Sequence, residues 1–356
     1  IINIKKDLAF PDFEPDGPDG MCRATKMVEE VDGIGKFLGE LKRETFAKYD
    51  AFTVGEVFNM KEEELEEFVG EDGYFSTMFD FQPHILTSSE NGWYDTREVD
   101  FLKWKAAIFS SQVECQDRVF LANIIENHDE PRGASRYLPE HARNPQGVKM
   151  LGTVSILLGG IPFIYQGQEI GMTNCRREDI HDYDDVDTYH QYQVALDAGL
   201  SKEEALDACY RFSRDNARTP MQWNAEKNAG FTMGKPWLAV NENYREINVE
   251  DQEKDPNSVL NYYKRLIRLR KDSEWKEVFV YGNFLPMYEK DEQIFAYARK
   301  AGEKTAVVLA NFGEKEMVVE LDKKIRKVLL SNQDKMAGID ENKVILKPCE
   351  VVVVSI

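Results

Sequence analysis

The chain has 356 residues, with 64 acidic side chains against 45 basic ones and a formal charge of −19 at pH 7. That balance excludes a nucleic-acid binder, which needs a basic footprint, and opposes docking on an anionic membrane surface. Hydrophobic residues make up 42% and aromatic residues 11%, enough apolar surface for a large core, so the length fits one large domain plus a smaller one and disorder is excluded for most of the chain.

No apolar run approaches the ~20 residues of a membrane span. The longest, over 150–165, is interrupted by Gly152, Gly159, Gly160 and Pro162. Cys22, Cys115, Cys175, Cys209 and Cys349 show no metal-ligand spacing, which predicts reduced thiols and a cytoplasmic location. The chain opens on IINIKK, without initiator Met or signal peptide, and reads as though it continues upstream.

In chain order, residues 1–30 are punctuated by Pro11, Pro15, Gly17, Pro18 and Gly20 and predict a loop. Residues 31–46 place Ile34, Phe37, Leu38, Leu41 and Phe46 at near-helical spacing. Residues 51–55 predict a short buried strand ending at Glu56. The acidic run 61–69 predicts a solvated helix, 76–86 a strand and loop, and 102–113 a helix. RVFLANII at 118–125 is a strong strand pattern, followed by ENHDEPR at 126–132. Residues 147–158 predict an apolar helix, and IPFIY at 161–165 a further strand. Short apolar strands alternating with helices are the mark of parallel β/α units, and four such units lie between Ala51 and Tyr210.

Residues 173–216 break this rhythm. They are polar and acidic, with one predicted helix at 202–208, and read as an excursion above the sheet. Within them, the run 179–187 reads as a solvated face or a weak cation binder. Residues 257–271 predict an amphipathic helix. From 284 onward the texture becomes alternating strands, at 293–299, 304–311, 317–321, 328–330 and 344–356, which predicts a small sandwich-type β-domain. The expected domains are 1–283, including the excursion, and 284–356.

Three strand ends carry polar residues that packing does not require. In a β/α barrel the chemistry sits at the C-terminal ends of the strands. Glu56 is either a solvated loop acid or a partly desolvated carboxylic acid able to donate a proton. His128 alone reads as a satisfied core histidine, but Asn127-His128-Asp129, followed by Pro131 and Arg132, is harder to explain by packing. The segment from Tyr165 to Glu169 combines Gly167, which permits close backbone approach, with amide side chains suited to sugar hydroxyls. The segment 215–223 is either a surface loop with one buried Trp or a carrier for an Arg reaching into the pocket.

The strings TVGE, ENHDEPR, IYQGQEIGMTN and DNARTPMQW, in that order, resemble the α-amylase family of glycoside hydrolases, and within it the oligo-1,6-glucosidase and α-glucosidase branch. The likeness covers essentially the whole chain, including FAYAR and VVLANF near the C-terminus. It implies α/β plus all-β architecture, with the C-terminal half of a (β/α)8 TIM barrel followed by an antiparallel β-sandwich. It also implies retaining hydrolysis of α-glucosidic bonds in oligosaccharides without a cofactor or metal. By resemblance, Glu56 matches the general acid/base, Asp129 the carboxylate that stabilises the distorting sugar, and His128 its neighbour on the same sugar. Arg218 matches the arginine that clamps a terminal glucose, and Glu169 and Arg132 match positions lining the pocket. Glu130 stands where many relatives have Gln, which adds an acid to this cluster.

A retaining glycosidase needs two carboxyl groups roughly 5–5.5 Å apart, one an acid and one a nucleophile. The family's nucleophilic Asp lies in a G-F-R-x-D motif at the end of the fourth barrel strand, and no such motif occurs in these residues. By resemblance, Ile1 stands just after it. The expectation is therefore the C-terminal portion of an exo-acting α-glucosidase, inactive alone. The same-family alternatives are a sucrose isomerase or glucosyltransferase, and a third reading is a non-catalytic scaffold or partner subunit. A half-barrel exposes two unpaired strand edges, so association with a separate N-terminal half or with a second copy is expected.

Overall fold

The computed structural model describes residues 15–17, 34–57, 64–83, 89–96, 98–334 and 338–356. The loop expected over 1–30 falls outside these except for 15–17, which have no regular structure. The first described helix, α1 (Ile34–Glu44), follows its amphipathic pattern and buries Leu38. Leu38 packs with Leu65, Phe68, Val69, Met78 and Leu121.

Among the described residues, four short strands form the parallel layer. β1 (Val54–Gly55) pairs with β2 (Thr77–Met78), and β3 (Ala122–Asn123) with β4 (Ile161–Pro162). A parallel bridge between Phe79 and Ala122 joins the two pairs, so the strands lie side by side in chain order. The ladders are shorter than the apolar runs in the sequence because only two residues of each strand are in register with a neighbour. Phe163 N–H still donates to the Asn123 carbonyl at 2.9 Å, which carries extended pairing past the end of β4. Among the described residues the outer edges of β1 and β4 have no strand partner.

Helices alternate with these strands: α2 (Leu65–Val69), α3 (Phe101–Cys115), α4 (Gly133–Tyr137) and α5 (Pro145–Ile156). α2 is not the solvated helix expected over 61–69, whose first three residues lie outside the described residues. Its Leu65, Phe68 and Val69 are buried against α1 and the strands, because a short helix on a sheet face must cover that face. α3 and α5 begin where Asp100 and Asn144 accept from the backbone N–H groups of Lys103 and Gly147, each at 3.0 Å. α5 also has Pro145 in its first turn, a position that needs no N–H donor. α5 is apolar all round because it is covered on every side, with every residue from Gly147 to Ile156 buried.

The excursion holds two helices rather than one: α6 (Val186–Asp197) and α7 (Lys202–Phe212), packed on each other. α7 is announced by a capping box, with Ser201 and Glu204 each bonding the other's backbone N–H. α6 lacks a clear apolar stripe. Its start is fixed by Asp185, which caps the N–H of Thr188, and its face by contact with α7. Two further helices, α8 (Val249–Lys254) and α9 (Val259–Lys271), complete this part. α9 packs along α5, burying Tyr262, Tyr263 and Leu266.

Among the described residues the C-terminal portion has eight strands in two antiparallel sheets: β5 (Asn283–Met287), β6 (Ile294–Ala301), β7 (Lys304–Asn311), β8 (Met317–Glu320), β9 (Lys327–Ser331), β10 (Gly338–Asp340), β11 (Lys343–Leu346) and β12 (Val351–Ser355). The larger sheet has the order β5-β6-β7-β12-β9 and the smaller β10-β11-β8. The single strand expected over 344–356 is thus two strands in different sheets. The chain turns between them at Cys349, whose φ is 60°.

The expected in–out alternation is absent from the inner strands β6, β7 and β12 of the larger sheet. Ile294, Ala296, Val307, Leu309, Val352 and Val354 pack against the smaller sheet. The other face carries Phe295, Tyr297, Val308, Ala310, Val351 and Val353, which share one core with Trp104, Phe109 and Val154 of α3 and α5. A sheet buried on both faces has no reason to alternate. Lys105 of α3 is itself buried, and its ammonium donates to the carbonyls of Tyr288 (2.8 Å), Asp291 (2.5 Å) and Ile294 (3.0 Å). Among the described residues, Cys115, Cys175, Cys209 and Cys349 are free, and no helix is long and apolar enough to cross a membrane.

Candidate active site

The polar strand ends gather on one side of the parallel layer. After β3, the Asn127 side chain accepts from the N–H of Asp129 at 2.7 Å. This turn ends the extended run and projects His128 and Asp129 into solvent. His128 Nε2 lies 3.2 Å from Asp129 Oδ2. Asp129 Oδ1 accepts from Arg218 at 2.8 Å and from Arg214 at 3.4 Å. The Nε of Arg218 donates to the His128 carbonyl at 2.8 Å. One guanidinium therefore holds both the backbone and the side chain of this pair, the forked geometry that distinguishes Arg from Lys.

Arg214 and Asp185 were not anticipated. Arg214 Nε donates to Asp185 Oδ1 at 2.8 Å, and Arg218 lies 3.9 Å from the same oxygen. Asp185 belongs to the acidic run read as solvated, yet its side chain is only 3% exposed. The available signal was only that Arg214 and Arg218 lie close in sequence, at and just beyond a short 3-10 turn (Arg214–Asn216). Trp223, buried in one of the two readings of its loop, is half exposed.

Behind these groups lies Arg132, fully buried. Its guanidinium donates to Glu126 (3.2 Å), to the carbonyl of Gln166 (2.7 Å) and to the carbonyl of Ala217 (3.2 Å), and it sits 5.3 Å from the Tyr165 ring centre. It thus ties together the ends of β3 and β4 and the residue preceding Arg218. The buried Glu126 carboxyl is pushed up to about 7 by loss of solvation, against the pull of Arg132.

Glu169 is half-buried and its carboxylate accepts from the Gly167 N–H at 2.7 Å. Gly167 has φ 92°, and a Cβ there would lie 2.4 Å from the Met172 sulfur, so only glycine fits this turn. The Tyr165 hydroxyl donates to the Ala217 carbonyl at 3.2 Å. Glu130 turns away from Asp129 and pairs with Arg136, and burial raises its pKa. Glu56 follows β1 directly and is exposed, with no hydrogen-bond or ion-pair partner among the described residues. The desolvation expected around it is not supplied by those residues. The structure therefore brings Asp129, His128 and Arg218 together, sets Arg132 beneath them and leaves Glu56 at the end of β1, two strands away, without a partner among the described residues. No group of three His, Cys, Asp or Glu side chains among the described residues is arranged to hold a metal ion.

Such a cluster suits a neutral polyol. An accessible carboxylate accepts from hydroxyls, while guanidinium, imidazole and amide groups supply donors. Residues 1–281 match the family described as alpha amylase, catalytic domain, and residues 294–353 match the alpha-amylase SusG C-terminal domain. The oligo-1,6-glucosidase of Parageobacillus thermoglucosidasius is 36% identical over 357 residues, which cover 98% of this chain and 63% of that enzyme. The chain thus spans just under two thirds of that relative's length. The crystal structure of Bacillus licheniformis trehalose-6-phosphate hydrolase superposes with a TM-score of 0.84 at 33% identity, over 93% of this chain and 60% of that one. Isomaltulose synthase from Klebsiella sp. LX3 gives a TM-score of 0.85 at 30% identity, over 93% and 60%.

Proposed function

The chain belongs to the α-amylase catalytic-domain family, and from that premise we propose that it carries the acid/base and sugar-binding half of a retaining, exo-acting α-glucosidase. The substrate is a short α-glucoside oligosaccharide, in the manner of an oligo-1,6-glucosidase. The observation that carries this reading is Arg218, which grips Asp129 Oδ1 and the His128 carbonyl together at 2.8 Å each. A fixed guanidinium beside an accessible carboxylate and an imidazole closes one end of a glucose site, which favours a terminal sugar over the middle of a chain.

In this proposal Glu56 protonates the leaving oxygen and then deprotonates water. Its exposure and lack of a fixed partner among the described residues leave it free to meet a substrate oxygen. Asp129 and His128 bind the glucose ring more tightly as it flattens toward the oxocarbenium ion, which is differential binding of the transition state. Glu169 lines the pocket, and Arg132 acts from beneath by holding the loops that carry the contacting residues. The nucleophile is an Asp contributed by upstream β/α units, because these 356 residues contain no G-F-R-x-D and the described residues supply four parallel strands where a closed barrel has eight. The unpaired edges of β1 and β4 then meet those units or a second copy of the chain. We take 1–283 and 284–356 as the two domains and the cytoplasm as the location.

The test is an assay of p-nitrophenyl α-glucoside with this chain alone and joined to its upstream units. Turnover is expected only in the joined form, and Glu56→Gln there should lose most of kcat. Turnover by the chain alone, or full activity of Glu56→Gln, refutes the assignment. The likeness to an isomaltulose synthase favours a second reading, in which a sugar hydroxyl replaces water as the acceptor. Isomerised products from sucrose would decide for it. Retention of neither activity nor glucose binding in the joined form would leave the non-catalytic scaffold.

A further inference from the structure

Two carboxylates and two guanidiniums form a closed ring at the mouth. Going round it, Asp129 Oδ1 meets Arg218 at 2.8 Å, Arg218 meets Asp185 Oδ1 at 3.9 Å, Asp185 Oδ1 meets Arg214 at 2.8 Å, and Arg214 returns to Asp129 Oδ1 at 3.4 Å. Only Asp129 among these belongs to the parallel strand ends. The other three come from the excursion and the segment that follows it.

Asp185 has two jobs, divided between its oxygens. Oδ2 accepts from the N–H and the hydroxyl of Thr188, at 3.1 and 2.9 Å, and so starts α6. Oδ1 is left for the two arginines. Its side chain is 3% exposed, whereas those of Asp129 and Arg214 are 43% and 35% exposed. A buried carboxylate that also caps a helix cannot swing, so it is the fixed point of the ring. Asp129 and Arg214 are its exposed members.

We propose that Asp185 is the positioning residue of the sugar site and that Arg214 is its exchangeable arm. This rests on the glucosidase reading above. Asp185 holds Arg218 against Asp129 from behind, which makes α6 and the excursion one wall of the terminal-glucose pocket. A sugar hydroxyl approaching Asp129 must displace one of its present partners. The 3.4 Å contact of Arg214 is the longest in Asp129's set, and Arg214 keeps its 2.8 Å bond to Asp185 when it lets go. Arg214 therefore yields its place to the hydroxyl and remains beside it as a donor, already anchored.

Asp185→Asn separates the two jobs. Asn caps a helix as well as Asp does, so α6 should persist and the melting temperature should stay close to that of the parent. The charge that holds the arginines is lost. The readouts are the ¹⁵N side-chain Nε–H resonances of Arg214 and Arg218 in this chain, and calorimetric binding of 1-deoxynojirimycin, a glucose-shaped cation. The Arg218 Nε–H bonds to His128, not to Asp185, so a shift of its resonance in Asp185→Asn reports coupling through the ring. That shift is expected, with inhibitor affinity weaker by about tenfold or more. Arg214→Lys should retain part of the affinity that Arg214→Gln loses.

An unmoved Arg218 resonance overturns the ring. Equal inhibitor affinity in parent and Asp185→Asn overturns its role in binding. A moved resonance in a parent chain that binds no inhibitor even when joined to its upstream units supports the ring and counts against the glucosidase reading instead.

Discussion

Asp129 is held by three cationic or potentially cationic partners, yet it remains 43% exposed. The buried carboxyl three residues before it is the opposite case. Glu126 has a single charged partner, Arg132, and burial outweighs that partner, so its proton is held up to about 7. Between the unfolded value near 4.5 and the folded value near 7, the native state binds more protons than the unfolded state. Stability from this group is therefore fully present below about pH 4.5 and is lost as pH rises through 7. Glu126→Gln should flatten the melting temperature over that window relative to the parent. A parent whose stability rises between pH 5 and 7, with the variant falling, would reverse the assigned sign. Asp80, Glu130 and Asp215 are raised by burial as well and contribute in the same direction.

At the scale of elements, the contact of α5 with α9 sets where the end of β4 sits. Gly152 of α5 faces Tyr263 of α9, whose hydroxyl accepts from Gln168 just beyond β4. A glycine inside a helix ordinarily costs ~1 kcal/mol against alanine. Here a Cβ would lie 2.5 Å from the Tyr263 hydroxyl oxygen, and Tyr263 is buried and locked. Overpacking of ~1–3 kcal/mol then exceeds the gain in propensity. Gly152→Ala is expected to lower the melting temperature and disturb the turn at Gly167. A rise would mean that the groove has slack. The glycine was legible as an interruption of an apolar run, but its reason lay in a residue of another helix.

For the whole molecule, the larger sheet of the C-terminal portion is the joint. Phe295 is fully buried and lies 5.4 Å from the Trp104 ring, 5.2 Å from Phe109 and 6.2 Å from Phe312. Lys105 and Arg270 add donors across the same region. The Arg270 guanidinium bonds the carbonyls of Ile156, Leu158, Gly160 and Phe279 at 2.6–3.0 Å. A core shared in this way should not melt in two steps. Calorimetry is expected to show one transition, and Phe295→Ala, at a cost of ~3–5 kcal/mol, should lower all of it together. Two separated transitions, with only the later residues affected, would contradict a common core.

The sequence by itself determined the β/α rhythm, the strand at 304–311, the strand expected at 317–321 to within one residue, and the polar residues gathered at the strand ends. Those features are written in local periodicity and in short motifs, which act over a few residues. Tertiary structure decided that Asp185 leaves solvent to bind Arg214, that Arg132 lies beneath the site, that α6 forms against α7, and that the larger sheet is covered on both faces. Each of these depends on which distant segment supplies the other surface. Asp129 and Arg218 are 89 residues apart in the chain and 2.8 Å apart in space, and no local pattern carries that distance. The packing of the strands and the excursion brings the two residues together.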